Sequence, residues 1–315
     1  MKFYITIMVT LLTVTLTAQV GVGSKEQVTT SPGKLDDQDL EKLKSSKTVF
    51  LYREGDDVEA LEQAIKSVWT VTEISLLPHT DYDKIDFETT SVFSLGGFNL
   101  YRLGFSASTN YSSSYTYLNL WMKGENSKGK EERKSFCRIE LHPTSETLRY
   151  VLNEDAEKAY EYLYTDATLH NWTPGFIRNY LKQVNDLLSS ETERWLYQNE
   201  FDEEIEVLSD KTLYLPDYLF VKFAPFSGDE SERLDEDDLL KNYPYDYEII
   251  SAEELSDKML ASEEALYYLV YVKSSSNKYL SIYNSKTGNL LYSSYKPMSY
   301  NVKKSDFKKI AKLVK

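Results

Sequence analysis

The sequence predicts an α/β (mixed α+β) protein built from two tandem units, each with a mixed sheet. Three observations carry that prediction. The first is a short run that occurs twice, Lys47-Thr48-Val49-Phe50-Leu51 and Lys211-Thr212-Leu213-Tyr214-Leu215. Both copies are unbroken series of β-branched, aromatic and leucine residues, the pattern of a strand buried on both faces. The second is that both copies open the same succession of elements, β-α-β-α-β-β-(β)-α, which reads as an internal repeat. The third is the kind of connection. A helix between the first two strands of each unit implies a parallel crossover, and the later hairpins add antiparallel strands to the same sheet.

Residues 1–18 have the form of a secretory signal peptide: Lys2 opens it, Phe3 to Leu16 is mostly apolar, and Ala18 is a plausible cleavage position, with Gly23 as the alternative. The apolar run is too short and too rich in threonine to span a bilayer, and no later segment could do so. Residues 19–43 read as a linker and a short polar helix, Leu35 to Leu43. The first unit, 44–143, opens with the strand 47–52. Gly55-Asp56-Asp57 caps a helix from Val58 to about Val68, with Leu61, Ile65 and Val68 on its buried face. A strand from Thr70 to Leu77, a short helix from Asp81 to Phe87 and strands near 92–105, 115–123 and 134–141 complete it. The middle strand alternates, with Tyr115, Tyr117, Asn119 and Trp121 on one face and Thr116, Leu118, Leu120 and Met122 on the other.

Residues 144–207 read as helices bridging the units, with Asn171-Trp172-Thr173-Pro174 as a start signal. The second unit, 208–315, opens with a strand from Lys211 that extends toward Phe223. Next come a helix from Asp235 to Asn242, a strand from Tyr245 to Ile250 and a helix from Ser251 to Leu260, the last with a Ser251/Glu254 capping box. Strands Leu266–Lys273 and Tyr279–Asn284 form a hairpin around Ser274-Ser275-Ser276-Asn277. A third strand, Asn289–Tyr295, and a tail helix over 304–314 end the chain.

The signal ending Thr17-Ala18-Gln19, the paired Lys-Thr strands and the stretch Asn242-Tyr243-Pro244-Tyr245-Asp246-Tyr247-Glu248-Ile249-Ile250-Ser251 resemble an uncharacterised family of secreted proteins of Bacteroidota-type bacteria. The resemblance covers most of the chain after the signal, rests on strand starts and helix caps, and implies no activity for any residue. The strand order of the second unit is also similar to a thioredoxin-like fold. The chain lacks the Cys-x-x-Cys that gives that fold its redox chemistry.

Composition narrows the function classes. At 315 residues there is room for about two domains. Hydrophobic content of 41% excludes a disordered chain. The net charge of −14 argues against a nucleic-acid surface, which needs a clustered basic footprint. With 26 tyrosines, many rings must pack on sheet faces with the hydroxyl wet. The single cysteine, Cys137, allows no intrachain disulfide and no cysteine-ligated zinc or iron–sulfur site, and its alternating context predicts a core thiol.

Each candidate chemistry meets a plainer reading. His79, His142 and His170 are far apart in sequence and read as surface histidines rather than metal ligands. The run Asp229-Glu230-Ser231-Glu232-Arg233-Leu234-Asp235-Glu236-Asp237-Asp238 carries −6 and could hold calcium, but it lacks the spaced glycine and glutamate of an EF-hand. A solvated loop before a helix start is the preferred reading. No Gly-x-Ser-x-Gly, P-loop or Gly-x-Gly-x-x-Gly occurs. Gly96-Gly97 reads as a kink or bulge in a strand. Ser106 to Tyr117, rich in serine and tyrosine, could contact sugars or protein surfaces, or simply form an exposed turn. The basic tail Lys303–Lys315 could lie on an anionic membrane, but packing onto the second sheet is preferred. No catalytic, cofactor-binding or metal residue is assigned and no cofactor is expected. The expected function is a non-enzymatic, secreted or periplasmic binding or envelope-associated module whose partner is a protein or glycan of the cell envelope. The alternative is a hydrolase of an envelope or extracellular polymer.

Overall fold

The computed structural model describes residues 19–25, 31–102, 111–197, 199–224, 229–274 and 277–314. The signal-like segment, residues 106–110 of the serine/tyrosine stretch and Ser275-Ser276 of the predicted turn lie outside them. In chain order the elements of the first unit are β1 (Val20–Val22), α1 (Asp37–Lys44), β2 (Lys47–Tyr52), α2 (Val58–Lys66), β3 (Glu73–Pro78), a 3-10 turn (His79–Lys84), β4 (Thr90–Arg102), β5 (Tyr111–Glu125) and β6 (Glu131–Glu140). The bridge holds α3 (Ser145–Asn153), α4 (Ala156–Leu163) and α5 (Pro174–Ser189). The second unit holds β7 (Glu200–Phe201), β8 (Leu213–Pro216), β9 (Val221–Ala224), β10 (Asp229–Arg233), α6 (Glu236–Leu240), β11 (Tyr247–Ile250), α7 (Ala252–Ala261), β12 (Tyr267–Ser274), β13 (Asn277–Asn284), β14 (Leu290–Pro297) and α8 (Lys304–Ala311).

The two six-stranded sheets have matching orders, β3-β2-β4-β5-β6-β1 and β11-β8-β12-β13-β14-β7. In each, the opening strand is parallel to both neighbours: β2 to β3 and β4, β8 to β11 and β12. The remaining pairings in both are antiparallel. The Lys-Thr runs therefore occupy or lead into equivalent central strands of roughly similar units. Because β12 runs parallel to β8, the second sheet departs from the thioredoxin-like arrangement, in which the corresponding strand is antiparallel.

Helix starts lie where the cap chemistry puts them. Asp36, Asp57, Thr144, Asp155, Thr173 and Asp235 each accept a hydrogen bond from a backbone amide of their helix's first turn, and Ser251 and Glu254 form a complete capping box. α5 is the helix both units share. Phe176, Ile177, Tyr180, Leu181, Val184 and Leu188 are all fully buried, and the helix packs against α2 on one side and α7 on the other. Asn185 Oδ1 accepts from the amides of Thr70 and Val71 at 2.7 and 3.2 Å. The amide of Gly175 donates to Ser256 Oγ at 2.9 Å, and a Cβ at Gly175 would stand 2.8 Å from Ser256 Cα, so glycine is required where α5 meets α7. The buried apolar residues of the two units form one continuous cluster through this helix.

The structure corrects several expectations. Val20–Val22, expected in a linker, is the edge strand of the first sheet: Val20 and Val22 have no exposed surface, and alternation cannot register a three-residue strand. The bridge is not helical over the whole of 144–207. α5 ends at Ser189, Val22 pairs with Arg194, and β7 joins the second sheet. The expected long strand from Lys211 breaks after Pro216 into a 3-10 turn (Asp217–Phe220) and the hairpin β9–β10. The acidic run therefore begins as a strand rather than a loop. Gly96 and Gly97 carry no bulge, since the β4–β5 ladder is continuous from Val92 to Arg102; the bulge sits at Leu120/Trp121. Both faces of the alternating strand β5 are buried, because the second unit and the bridge cover the face that water would otherwise take. The tail packs as expected: Phe307, Ile310 and Val314 are buried. No helix among the described residues is long and apolar enough to cross a membrane.

Candidate functional site

An aromatic-lined concavity lies on the first unit, where β4, β5 and β6 face the 3-10 turn and α4. Its floor is Ser94 to Gly97 of β4 with Tyr117 and Asn119 of β5; Tyr82 and Tyr160 form its walls. The cavity holds about 400 Å³. Strand alternation puts Tyr117 and Asn119 on one face. Gly96 lets the Tyr117 ring lie against the backbone of β4, since a Cβ there would stand 2.9 Å from the ring. The floor is held by side chains that bond one another. Trp121 Nε1 donates to Ser94 Oγ at 2.9 Å, and Ser135 Oγ donates to Asn119 Oδ1 at 2.8 Å.

Tyr82 also lines two neighbouring hollows, of about 340 Å³ beside Phe87, Trp121 and Arg133, and about 730 Å³ beside His79, Tyr150 and Tyr162. Stacked aromatic pairs define these walls: Phe87 on Trp121 at 5.5 Å, Tyr150 on Tyr162 at 4.1 Å and His79 on Tyr164 at 4.6 Å. Arg133 lies 4.2 Å over the Trp121 ring and donates to Tyr82 Oη at 3.4 Å. Burial pushes the Tyr160 hydroxyl up, and its hydrogen bond with Tyr164 only partly opposes this, so it stays a neutral donor. Flat rings with a few polar groups between them offer stacking faces and hydrogen bonds.

The residues singled out in the sequence fall elsewhere. Cys137 is a core thiol, 1% exposed and pushed up to about 12 by burial. His79 is half-buried beside the groove, but His142 and His170 are not surface histidines apart from one another. His142 is 3% exposed, and the ring centroids lie 4.8 Å apart. Contact across 28 residues has no period in the sequence. It arises because the amide of His170 donates to the carbonyl of His142 at 2.9 Å, with Pro143 bridged to Leu169. Glu230 joins them from β10: its Oε1 lies 3.5 Å from His170 Nε2 and 3.6 Å from Lys273 Nζ. Burial and the nearby positive groups hold the His142 imidazole well below its ordinary value. Burial would raise Glu230, but the imidazole of His170, 3.5 Å away, and the charge of Lys273 prevail and hold it at about 2. Burial brings Lys273 down to about 8 despite Glu230.

A second buried polar set ties the units together. Arg138 and Glu140 form a close ion pair, 2% and 0% exposed, and Ser274 Oγ of the second unit donates to Glu140 at 2.7 Å. Asn277 Nδ2 donates to Tyr115 Oη at 3.1 Å across the same junction. Tyr115 and Tyr117, the described end of the serine/tyrosine stretch, thus serve the junction and the groove floor. Tyr82, Arg133 and Tyr160 carried no signal in the sequence, because they meet only when the turn, β6 and α4 converge. Compared with family models, curated proteins and solved structures, the chain matches none.

Proposed function

We propose that this protein is an exported, non-enzymatic binding module that holds a polymer chain in the tyrosine-lined groove of its first unit, with a glycan of the cell envelope as the partner. The observation that carries the reading is the run of three adjoining hollows sharing Tyr82, walled by stacked aromatic pairs. Sugar rings present apolar C–H faces and a rim of hydroxyls. Such a ligand suits aromatic faces flanked by Asn119, Arg133 and Glu154. Glycoside hydrolysis works with a facing pair of carboxylates. Glu154 lines the 400 Å³ cavity, while Glu54, Asp83, Glu157, Glu161, Glu131 and Glu132 line the two adjoining hollows, so release of reducing ends is the measurement that separates binding from hydrolysis. Export rests on the signal-like segment, and we place the cleavage after Ala18. Gln19 and Val20 have no exposed surface, and a cut after Gly23 would remove β1.

The test is tryptophan fluorescence titration with soluble envelope polysaccharides and peptidoglycan fragments, since Trp121 borders the groove. Saturable binding should weaken by about tenfold in Tyr82→Ala and in Tyr160→Ala, roughly 1.4 kcal/mol for each lost ring. Release of new reducing ends from any of these polymers would establish the hydrolase instead. Equal binding by both variants would remove the groove as the site.

A further inference from the structure

The junction of the two units carries a cluster that the groove does not use. One ligand atom from each of His142, His170 and Glu230 lies within 4.8 Å of the other two. We propose that these three residues form a zinc site that clamps the end of the first sheet, the bridge and the β9–β10 hairpin together.

The donor set is two imidazoles and a carboxylate, a set that zinc accepts while leaving a fourth position open to water. Tetrahedral bonds of about 2.0–2.1 Å place ligand atoms roughly 3.4 Å apart, so closure on an ion asks for side-chain shifts of about 1 Å. Two of the three ligands are already fixed by the backbone. His142 and His170 face each other across the pairing of their own main chains, and the His142 amide donates to Asn171 Oδ1 at 2.7 Å. His142 Nδ1 lies 3.3 Å from the carbonyl oxygen of Tyr271. Donation to that carbonyl leaves Nε2 with its lone pair, as metal-bound histidines are commonly held. His170 Nε2 is buried and has no hydrogen bond that satisfies its geometry, only the 3.5 Å approach to Glu230. An orphaned buried nitrogen beside a carboxylate and a second imidazole is the kind of group that a cation would satisfy.

Lys273 opposes the ion. Its ammonium lies 3.6 Å from Glu230 Oε1 and 3.4 Å over the Phe223 ring. Zinc would replace it as the partner of Glu230 and leave it the aromatic face. Its charge should therefore limit affinity, and that gives the test a direction that a purely structural polar cluster would not share.

The experiment uses the full chain after the signal, stripped with a chelator, reloaded with Zn²⁺ and analysed for bound metal. Co²⁺ loading supplies visible absorption bands as an independent readout. One equivalent per chain is expected, with a rise in melting temperature on loading. His170 and Glu230 are partly exposed, so His170→Ala and Glu230→Gln should keep the fold by circular dichroism and lose the metal, the cobalt bands and the thermal shift. Lys273→Met should bind about tenfold more tightly or better, because a charge close to the ion is gone. Folded wild-type chain that takes up no stoichiometric metal would overturn the proposal. So would uptake that Glu230→Gln and His170→Ala leave unchanged, or a Lys273→Met chain that binds no more tightly than wild type.

Discussion

Replacing Glu140 by glutamine should loosen the junction between the units more than any surface change. Glu140 ends β6 with no exposed surface, and Arg138 lies two residues earlier on the same face at 2%. The guanidinium also lies 4.6 Å over Tyr117 and 5.4 Å over Tyr115, in a pocket that water does not reach. Glutamine keeps the shape and can still meet Ser274 Oγ. What it removes is the charge that answers Arg138. Breaking a buried pair from one side costs about 3–5 kcal/mol, because the remaining ion stays desolvated. An unfolding entropy of about 2.1 cal/mol/K per residue makes each kcal/mol worth roughly 1.6 °C in a chain of about 300 residues. A fall of about 5–8 °C in melting temperature at pH 7 is therefore expected by calorimetry. Salt should change it little, since the pair is not exposed to screening. The double variant Arg138→Met/Glu140→Leu should recover most of the loss, since apolar residues of similar size carry no desolvation penalty. If Glu140→Gln melts within about 1 °C of wild type, or the double variant is as unstable as the single, the pair does not hold the junction.

Asp306 is 1% exposed between Lys278 and Lys296, and its carboxylate also accepts from the Lys303 amide at the start of α8. Burial would raise its carboxyl, but the charge and hydrogen bond of Lys278, with the bonds from Lys296 and Lys303, hold it below its ordinary value. Its contribution is therefore present above the unfolded value of about 3.9 and is lost as pH falls through that value and below. Asp306→Asn should cost about 3–5 kcal/mol at pH 7 in denaturant melts and flatten the acid limb of the stability profile; an unchanged acid limb would contradict this. Cys137 should stay silent to a thiol reagent in native buffer and react only as the chain unfolds, so labelling within minutes without denaturant would contradict its burial. Edman sequencing of the exported protein should begin at Gln19, and deleting residues 19–23 should destabilise the fold by about 3–6 kcal/mol from Val20 and Val22 alone; a mature chain beginning at Ser24 would refute the cleavage proposal.

Much of the fold was legible because short-range physics wrote it. The run Lys47 to Leu51 forms its strand, Asp57 and Ser251 cap their helices, and the stripe from Phe176 to Leu188 is buried, each by a pattern confined to a few neighbouring residues. What failed also failed for local reasons. Val20–Val22 is too short to show a period, and Asp229–Arg233 reads as solvated because its strand partner, Val221–Ala224, had been absorbed into a longer run.

By itself, the sequence determined the class of the fold and the inert core position of Cys137, since periodicity, caps and composition act within a turn or a strand. Only the tertiary structure decided what those elements bring together. Tyr82, Tyr117 and Tyr160 share one groove because a turn, a strand and a helix converge. His142 and His170 touch because a backbone pairing closes a loop, and Glu230 reaches them from another unit. Arg138 and Glu140 are buried because the second unit covers a strand face that alternation alone leaves open to water. Contacts between residues far apart in the chain leave no spacing to read, so the groove and the histidine cluster appear only once the chain is folded.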